Sequence, residues 1–506
     1  YTLPTIAAHS GLIGMSTQKL SWRNHDFYDA PYHKKNPFSW GVWYGIDGSS
    51  VIAAFDTGGY NSELPENVQY NERLMERAAH GYDNTCFRYY AGGGEGVGDK
   101  GNSGTVTTCR RLTKAINDPN APIEIISATS DDLFKAYLGR KAELPSFDGE
   151  LLMDVHATGC YTSQTAMKYY NRRNEELTGA AERASVAADW LGALAYDQRK
   201  LTEIWQRFIW HQFHDDLTGT SIPEAYTWSW NDELIALRQG GDVMNSAVGA
   251  LSYSLDTRVK GTPVVVYNAV TYPVKAVVEA EIPLAAKAKG VAVYGPDGRR
   301  VAAQILSREG DKAVIAFAAD VKSVGYAVYD VRPASPARSS ALKVNGNTIE
   351  NAVYKVTLDR NGDIASLVDK RYGRELVEQG KAFRLAIFEG NPSNEWPAWE
   401  VLKEVVDKTP RAVTDNVSVS VGEEGPVRAS LKVERTYGDS KFTQYITLAD
   451  GAQDDRIDIR TTVDWNSRNT LLKAEFPMSV SNAKAAYDLG IGFIERGNNT
   501  ATAYEA

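Results

Sequence analysis

The chain has 506 residues, 43% of them hydrophobic and 24% charged, an ordinary globular composition in a length that calls for two to four domains. A formal net charge of −9 leaves no lysine and arginine excess to neutralise phosphates, which argues against a nucleic-acid partner. No apolar run approaches the roughly 20 residues of a membrane span, and three cysteines (Cys86, Cys109 and Cys160) are too few and too scattered for a disulfide framework.

Residues 1–115 alternate short β-rich runs with glycine-rich loops and helical patterns, which suits an α/β layer with its chemistry on the loops. The run "SSVIAAF" predicts a strand. In "WGVWYGIDGSSV" the aromatics Trp40, Trp43 and Tyr44 flank a turn signal; such rings suit the apolar face of a pyranose, and they suit a core equally. The stretch "GGGEGVGDKGNSGT" (92–105) sets Glu95 and Asp99 among seven glycines. It lacks the GK[ST] of a phosphate-binding loop, and its carboxylates repel phosphate. A flexible backbone carrying an acid into a cleft is one reading, a solvated surface loop the other.

After a connecting segment over 116–150 the pattern becomes helical. Met167, Tyr170, Leu177, Val186, Trp190, Leu191 and Leu194 recur at helical spacing, and Leu201, Ile204, Trp205, Phe208 and Ile209 form a second stripe. Ser221, Pro223 and Glu224 read as a capping box that opens a further helix. A three-helix bundle over 151–257 is expected. From 258 onward, Val-rich alternation punctuated by "PDG", "EGD", "NGN", "RNGD" and "EEG" predicts a large antiparallel β-sandwich over 258–506, with "RPASPARSS" (332–340) as a linker-like stretch.

The stretch "WHQFHDDLTGT" (210–220) places two of the 7 histidines three apart, with Asp215 and Asp216 directly behind. On a continuous helix His211 and His214 share a face, and imidazoles so placed can serve zinc. A helix that simply ends in a polar loop accounts for the same residues.

Four stretches in order, "GIDGSSV", "TGCYTSQTAMKYYNRRNEEL", "HQFHDDLTGT" and "YKVTLDRNGDIASLVDKRYGRELVEQG", resemble glycoside hydrolase family 38, the retaining α-mannosidases. The resemblance covers essentially the whole chain. It implies a multidomain α/β + α + β protein: the C-terminal part of a (β/α) barrel, then the bundle, then the sandwich. It further implies hydrolysis of terminal α-mannosyl residues of mannosides or N-glycan-type oligosaccharides, with one zinc ion per intact chain. His214 matches the family's metal-binding histidine of the bundle, and Asp215 a carboxylate that hydrogen-bonds sugar hydroxyls. His211 falls behind them in a supporting position. Phe213 departs from a frequent second histidine. Lys19 stands where the family often carries an arginine, keeping the charge and losing the bidentate fork. Tyr60 matches a substrate-contacting tyrosine, and Asp99, with Glu95 in reserve, is the candidate acid/base.

The family's nucleophile lies in an Asp-x-Phe-Gly-x-Ser segment, and two further metal ligands in a His-x-Asp pair; neither motif occurs where this sequence begins. The expectation is therefore an incomplete chain, inactive by itself, whose compartment stays open. Alternatives from other classes are a glycan-binding scaffold without catalysis and a hydrolase of another glycoside on the same architecture.

Overall fold

The computed structural model describes residues 1–17, 37–55, 64–88, 106–129, 131–151, 158–335, 341–390 and 396–498. They form two compact units, residues 1–158 together with 482–506, and residues 159–481.

In the first unit, helix α1 (Leu3–His9) precedes a mixed sheet of β1 (Gly14–Ser16), β2 (Trp40–Tyr44), β3 (Ser50–Ala54) and β4 (Ser146–Asp148) in the order β1-β3-β2-β4. The pairs β1–β3 and β2–β4 are parallel and β2–β3 is antiparallel. Helices α2 (Glu72–His80), α3 (Val106–Ile116) and α4 (Asp132–Tyr137) lie between β3 and β4 in the chain. The stretch expected to be a mere connection over 116–150 thus supplies a sheet strand.

The β2–β3 hairpin turns at Gly48, whose φ of +81° suits glycine. Asp47 fastens this turn. Its carboxylate accepts from Thr5 Oγ1 at 2.8 Å and Ser49 Oγ at 2.6 Å, and faces His9 Nε2 at 2.8 Å; these bonds hold it well below the usual carboxylate range. Trp40 and Trp43 are buried, and their indole N–H groups donate at 2.9 Å to the carbonyls of Thr85 and Gly149. Of the two readings of these rings, the structure takes the core one: a ring closed off in the sheet core meets no sugar. A second hairpin, Lys484–Asp488 with Phe493–Gly497, belongs to the same unit, where Arg496 Nε donates to Glu150 Oε2 at 2.7 Å.

The second unit begins with three helices, α5 (Thr165–Trp190), α6 (Gln198–Trp210) and α7 (Pro223–Tyr253). Leu201, Ile204 and Phe208 of α6 pack with Ala181 of α5 and with Ala236 and Val243 of α7. The α6 stripe falls as its spacing predicts, except that Ile209 is exposed. The α5 pattern does not. Its buried face is Met167, Asn171, Asn174, Thr178, Ala181, Ala184, Ser185 and Ala188, while Val186, Trp190 and Leu191 are exposed. Small residues let α5 and α7 approach closely: Ala184 and Ala188 meet Ala247 and Leu251, and a Cβ built on Gly240 would stand 3.4 Å from Leu177. The capping box is also absent. Helix α7 opens at Pro223 with Ile222 before it and no side-chain cap, because the Ser221 N–H is engaged by Tyr226 Oη at 3.0 Å.

Beyond α7 the strands are antiparallel, as their alternation predicts, but they surround several separate clusters, of which two are large. One includes Ile315, Phe317, Tyr329 and Val331; the other Val356, Leu358, Leu431, Val433 and Ile446. The turn signals fall between strands, with Gly298, Gly310, Gly346 and Gly362 all at positive φ. The linker-like stretch starts later than expected, since residues 332–334 still pair with residues 290–292.

Candidate functional site

Helix α6 ends at Trp210, with His211 as its C-cap, so the "WHQFHDDLTGT" stretch is a turn and not a continuous helix. The two histidines consequently do not share a face. His211 is buried, whereas the His214 side chain is 75% exposed. The correction is local: once the helix stops, a spacing of three no longer brings side chains to one side.

What the turn presents is the neighbouring pair. His214 Nε2 lies 3.1 Å from Asp215 Oδ2, and the other Asp215 oxygen accepts from Thr220 Oγ1 at 2.7 Å. Phe213 is exposed beside them, its ring centroid 4.2 Å from that of His214. Asp216 takes the opposite course. It is buried, and its Oδ2 lies 2.6 Å from His211 Nδ1. The Ser229 hydroxyl stands 2.9 and 2.8 Å from its two oxygens. The other His211 nitrogen, Nε2, faces Asp232 Oδ2 at 3.3 Å, and Arg207 Nη1 donates to Asp232 Oδ1 at 2.6 Å.

The backbone of the turn is anchored independently. Lys168 Nζ donates to the Leu217 carbonyl at 2.7 Å and to that of Ser163, and burial pulls its pKa down. Tyr226 Oη donates to the Asp215 carbonyl at 3.1 Å, and Gln212 Nε2 donates to Asn171 Oδ1 at 3.1 Å. Gly219 adopts φ +85°, and a Cβ there would sit 2.4 Å from the Ser163 carbonyl oxygen. Below the turn, Glu233 is fully buried; Asn174 Nδ2 donates to its Oε2 at 2.5 Å, and burial pushes its pKa up to about 7.

Two of the predicted residues, His214 and Asp215, are therefore brought together at the surface of the turn, with His211 behind. Asp99, Glu95, Lys19 and Tyr60 lie outside the described residues. Among the described residues no group of three or more histidines, cysteines or carboxylates could hold a metal ion. A zinc site takes four donors, so the described residues do not form one by themselves. Sequence reasoning gave no role to Asp216, Ser229 or Asp232, which only the chain reversal brings to His211.

Residues 155–251 match the family description "Alpha mannosidase middle domain", and residues 349–506 match "Glycosyl hydrolases family 38 C-terminal domain". The chain belongs to glycoside hydrolase family 38. Two curated relatives in this family extend the likeness along the chain. Alpha-mannosidase 2C1 of Homo sapiens is 25% identical over 520 residues, covering 99% of this chain and 45% of that protein. Alpha-mannosidase G of Dictyostelium discoideum is 26% identical over 551 residues, covering 99% of this chain and 47% of its own length. The chain thus spans less than half of these relatives. An alpha-mannosidase from Enterococcus faecalis V583, solved by crystallography, shares the fold with a TM-score of 0.71 at 17% identity, over 93% of this chain and 61% of that one.

Proposed function

We propose that these residues form part of a retaining α-mannosidase that removes terminal α-mannosyl residues from mannosides or N-glycan-type oligosaccharides. The observation that carries this reading is the exposed His214 with the half-buried Asp215 beside it, on a turn otherwise fixed from inside, in a chain of family 38. In this reading His214 donates to one zinc ion per intact chain, and the ion's other donors come from elsewhere in the protein. Bound there, zinc serves as a Lewis acid and template for the sugar's hydroxyls. Asp215 accepts hydrogen bonds from those hydroxyls, and His211 supports the turn behind. Retaining hydrolysis needs two carboxyl groups about 5–5.5 Å apart, one nucleophile and one acid that later acts as base. Asp99 is proposed for the second role, with Glu95 in reserve; Lys19 and Tyr60 are proposed substrate contacts.

The test is a linkage panel of aryl α-mannosides and α-glucosides with zinc analysis, on a protein that joins this chain to the family's Asp-x-Phe-Gly-x-Ser and His-x-Asp segments. Mannoside hydrolysis with one zinc per chain supports the reading. Glycan affinity without metal or turnover, or preference for glucosides, overturns it.

A further inference from the structure

Side by side in sequence, Asp215 and Asp216 divide the labour of the turn, and the division is what the structure adds. Asp215 keeps company with His214 and Thr220 at the surface. Asp216 joins a row of polar side chains that runs from the buried Asp216 and His211 out to the partly exposed Asp232 and Arg207, with separations of 2.6, 3.3 and 2.6 Å. An ionised carboxylate only accepts hydrogen bonds. Both His211 nitrogens face carboxylate oxygens. Ser229 fastens the Asp216 end of the row to α7, and Asp232, also on α7, carries it on to Arg207 of α6.

We propose that Asp216 is a positioning residue for the His214–Asp215 pair: its carboxylate locks the 211–221 turn onto helix α7 and thereby sets the direction in which that pair faces. Backbone anchors hold the turn's carbonyls at residues 215 and 217. Asp216 ties the intervening side chain both to the residue that ends α6 and to the helix that follows. Asp216→Asn keeps an acceptor for Ser229 but places an amide where His211 needs a carboxylate.

The catalytic readout of this proposal rests on the mannosidase reading; its structural readout does not. The experiment compares the wild type with Asp216→Asn, Asp216→Ala and Ser229→Ala, using two measurements on the 506-residue chain and one on the protein joined to the two segments named above. In the chain, the ¹⁵N shifts of the His211 ring change between the wild type and Asp216→Asn, because Nδ1 loses the carboxylate it faces. Amide exchange at residues 215–221 rises about tenfold or more in the Asp216 variants, while amides in the middle of α7 stay protected. In the joined protein, kcat/KM for an aryl mannoside falls about 10- to 100-fold, the range for groups that orient metal ligands, with kcat carrying most of the loss. Ser229→Ala, the mildest change, shifts each readout in the same direction. Unchanged exchange and unchanged His211 ring shifts in the Asp216 variants overturn the proposal, as does an active joined protein whose Asp216 variants equal it. If exchange and spectra respond as stated but the wild-type joined protein hydrolyses no mannoside, the bracing role stands and the mannosidase reading falls.

Discussion

Asp215 and Asp216 are consecutive yet share no hydrogen-bond or ion-pair partner: Asp215 meets His214 and Thr220, Asp216 meets His211 and Ser229. Substitution should therefore separate chemistry from scaffolding. In the joined protein, His214→Ala and Asp215→Asn are expected to lower kcat/KM by about 100-fold or more, the scale for removing one charge-stabilising group. Their melting temperatures should stay within a few degrees of wild type, because both side chains are partly or largely exposed. Steady-state kinetics beside calorimetry check this, and full activity in His214→Ala would remove the residue from the site.

Expressed alone, the 506 residues should release no nitrophenol from an aryl α-mannoside above background. Double displacement takes two carboxyl groups, and the candidates here, Asp99 and Glu95, serve the acid/base role only. A concentrated, metal-supplemented sample is the appropriate assay; turnover that scales with protein would show that another carboxylate of this chain acts as nucleophile.

Glu233 makes stability fall as pH rises. Burial lifts its folded-state pKa to about 7, above the ordinary value of 4.5. Between those values the folded chain holds a proton that the unfolded chain has released. The penalty is absent below about pH 4, grows through the interval and is complete above pH 7. Each unit of the gap corresponds to about 1.4 kcal/mol. Glu233→Gln keeps a neutral side chain that can accept from Asn174, so it should raise the melting temperature at pH 8 and change it little at pH 4. An equal gain at both pH values would refute the account.

Gly219→Ala should destabilise the second unit by about 1–3 kcal/mol, since alanine meets both an unfavourable positive φ and the Ser163 carbonyl. Denaturant melts of the chain read this directly. A neutral result would mean that the turn shifts freely, and Asp216 with it.

How much of this was legible beforehand depended on where side-chain type follows burial. Helix α6 was readable because Leu201, Ile204 and Phe208 are large, apolar and inward. Helix α5 misleads because close packing against α7 selects Ala181, Ala184 and Ala188, while Trp190 stands 84% exposed at its end. Positive-φ glycines marked the β-turns reliably, since little else tolerates that backbone. At the turn, His214 and Asp215 were singled out through family resemblance. The contact of His211 with Asp216 was not, because a helical projection of residues 210–216 puts His211 beside His214, whereas chain reversal after Trp210 puts it beside Asp216.

The first unit is drawn from both ends of the sequence, with Glu150 near the close of its leading portion and Arg496 in its trailing hairpin. During synthesis the Glu150 carboxylate thus leaves the ribosome without its cation, and all of residues 159–481 are made before the guanidinium arrives. Within these 506 residues, that unit is completed only after the second one has been made. A chain stopped at residue 158 lacks the hairpin and its counter-charge, so half-expressed or clipped material should show its earliest damage in the opening segment, not at the cut.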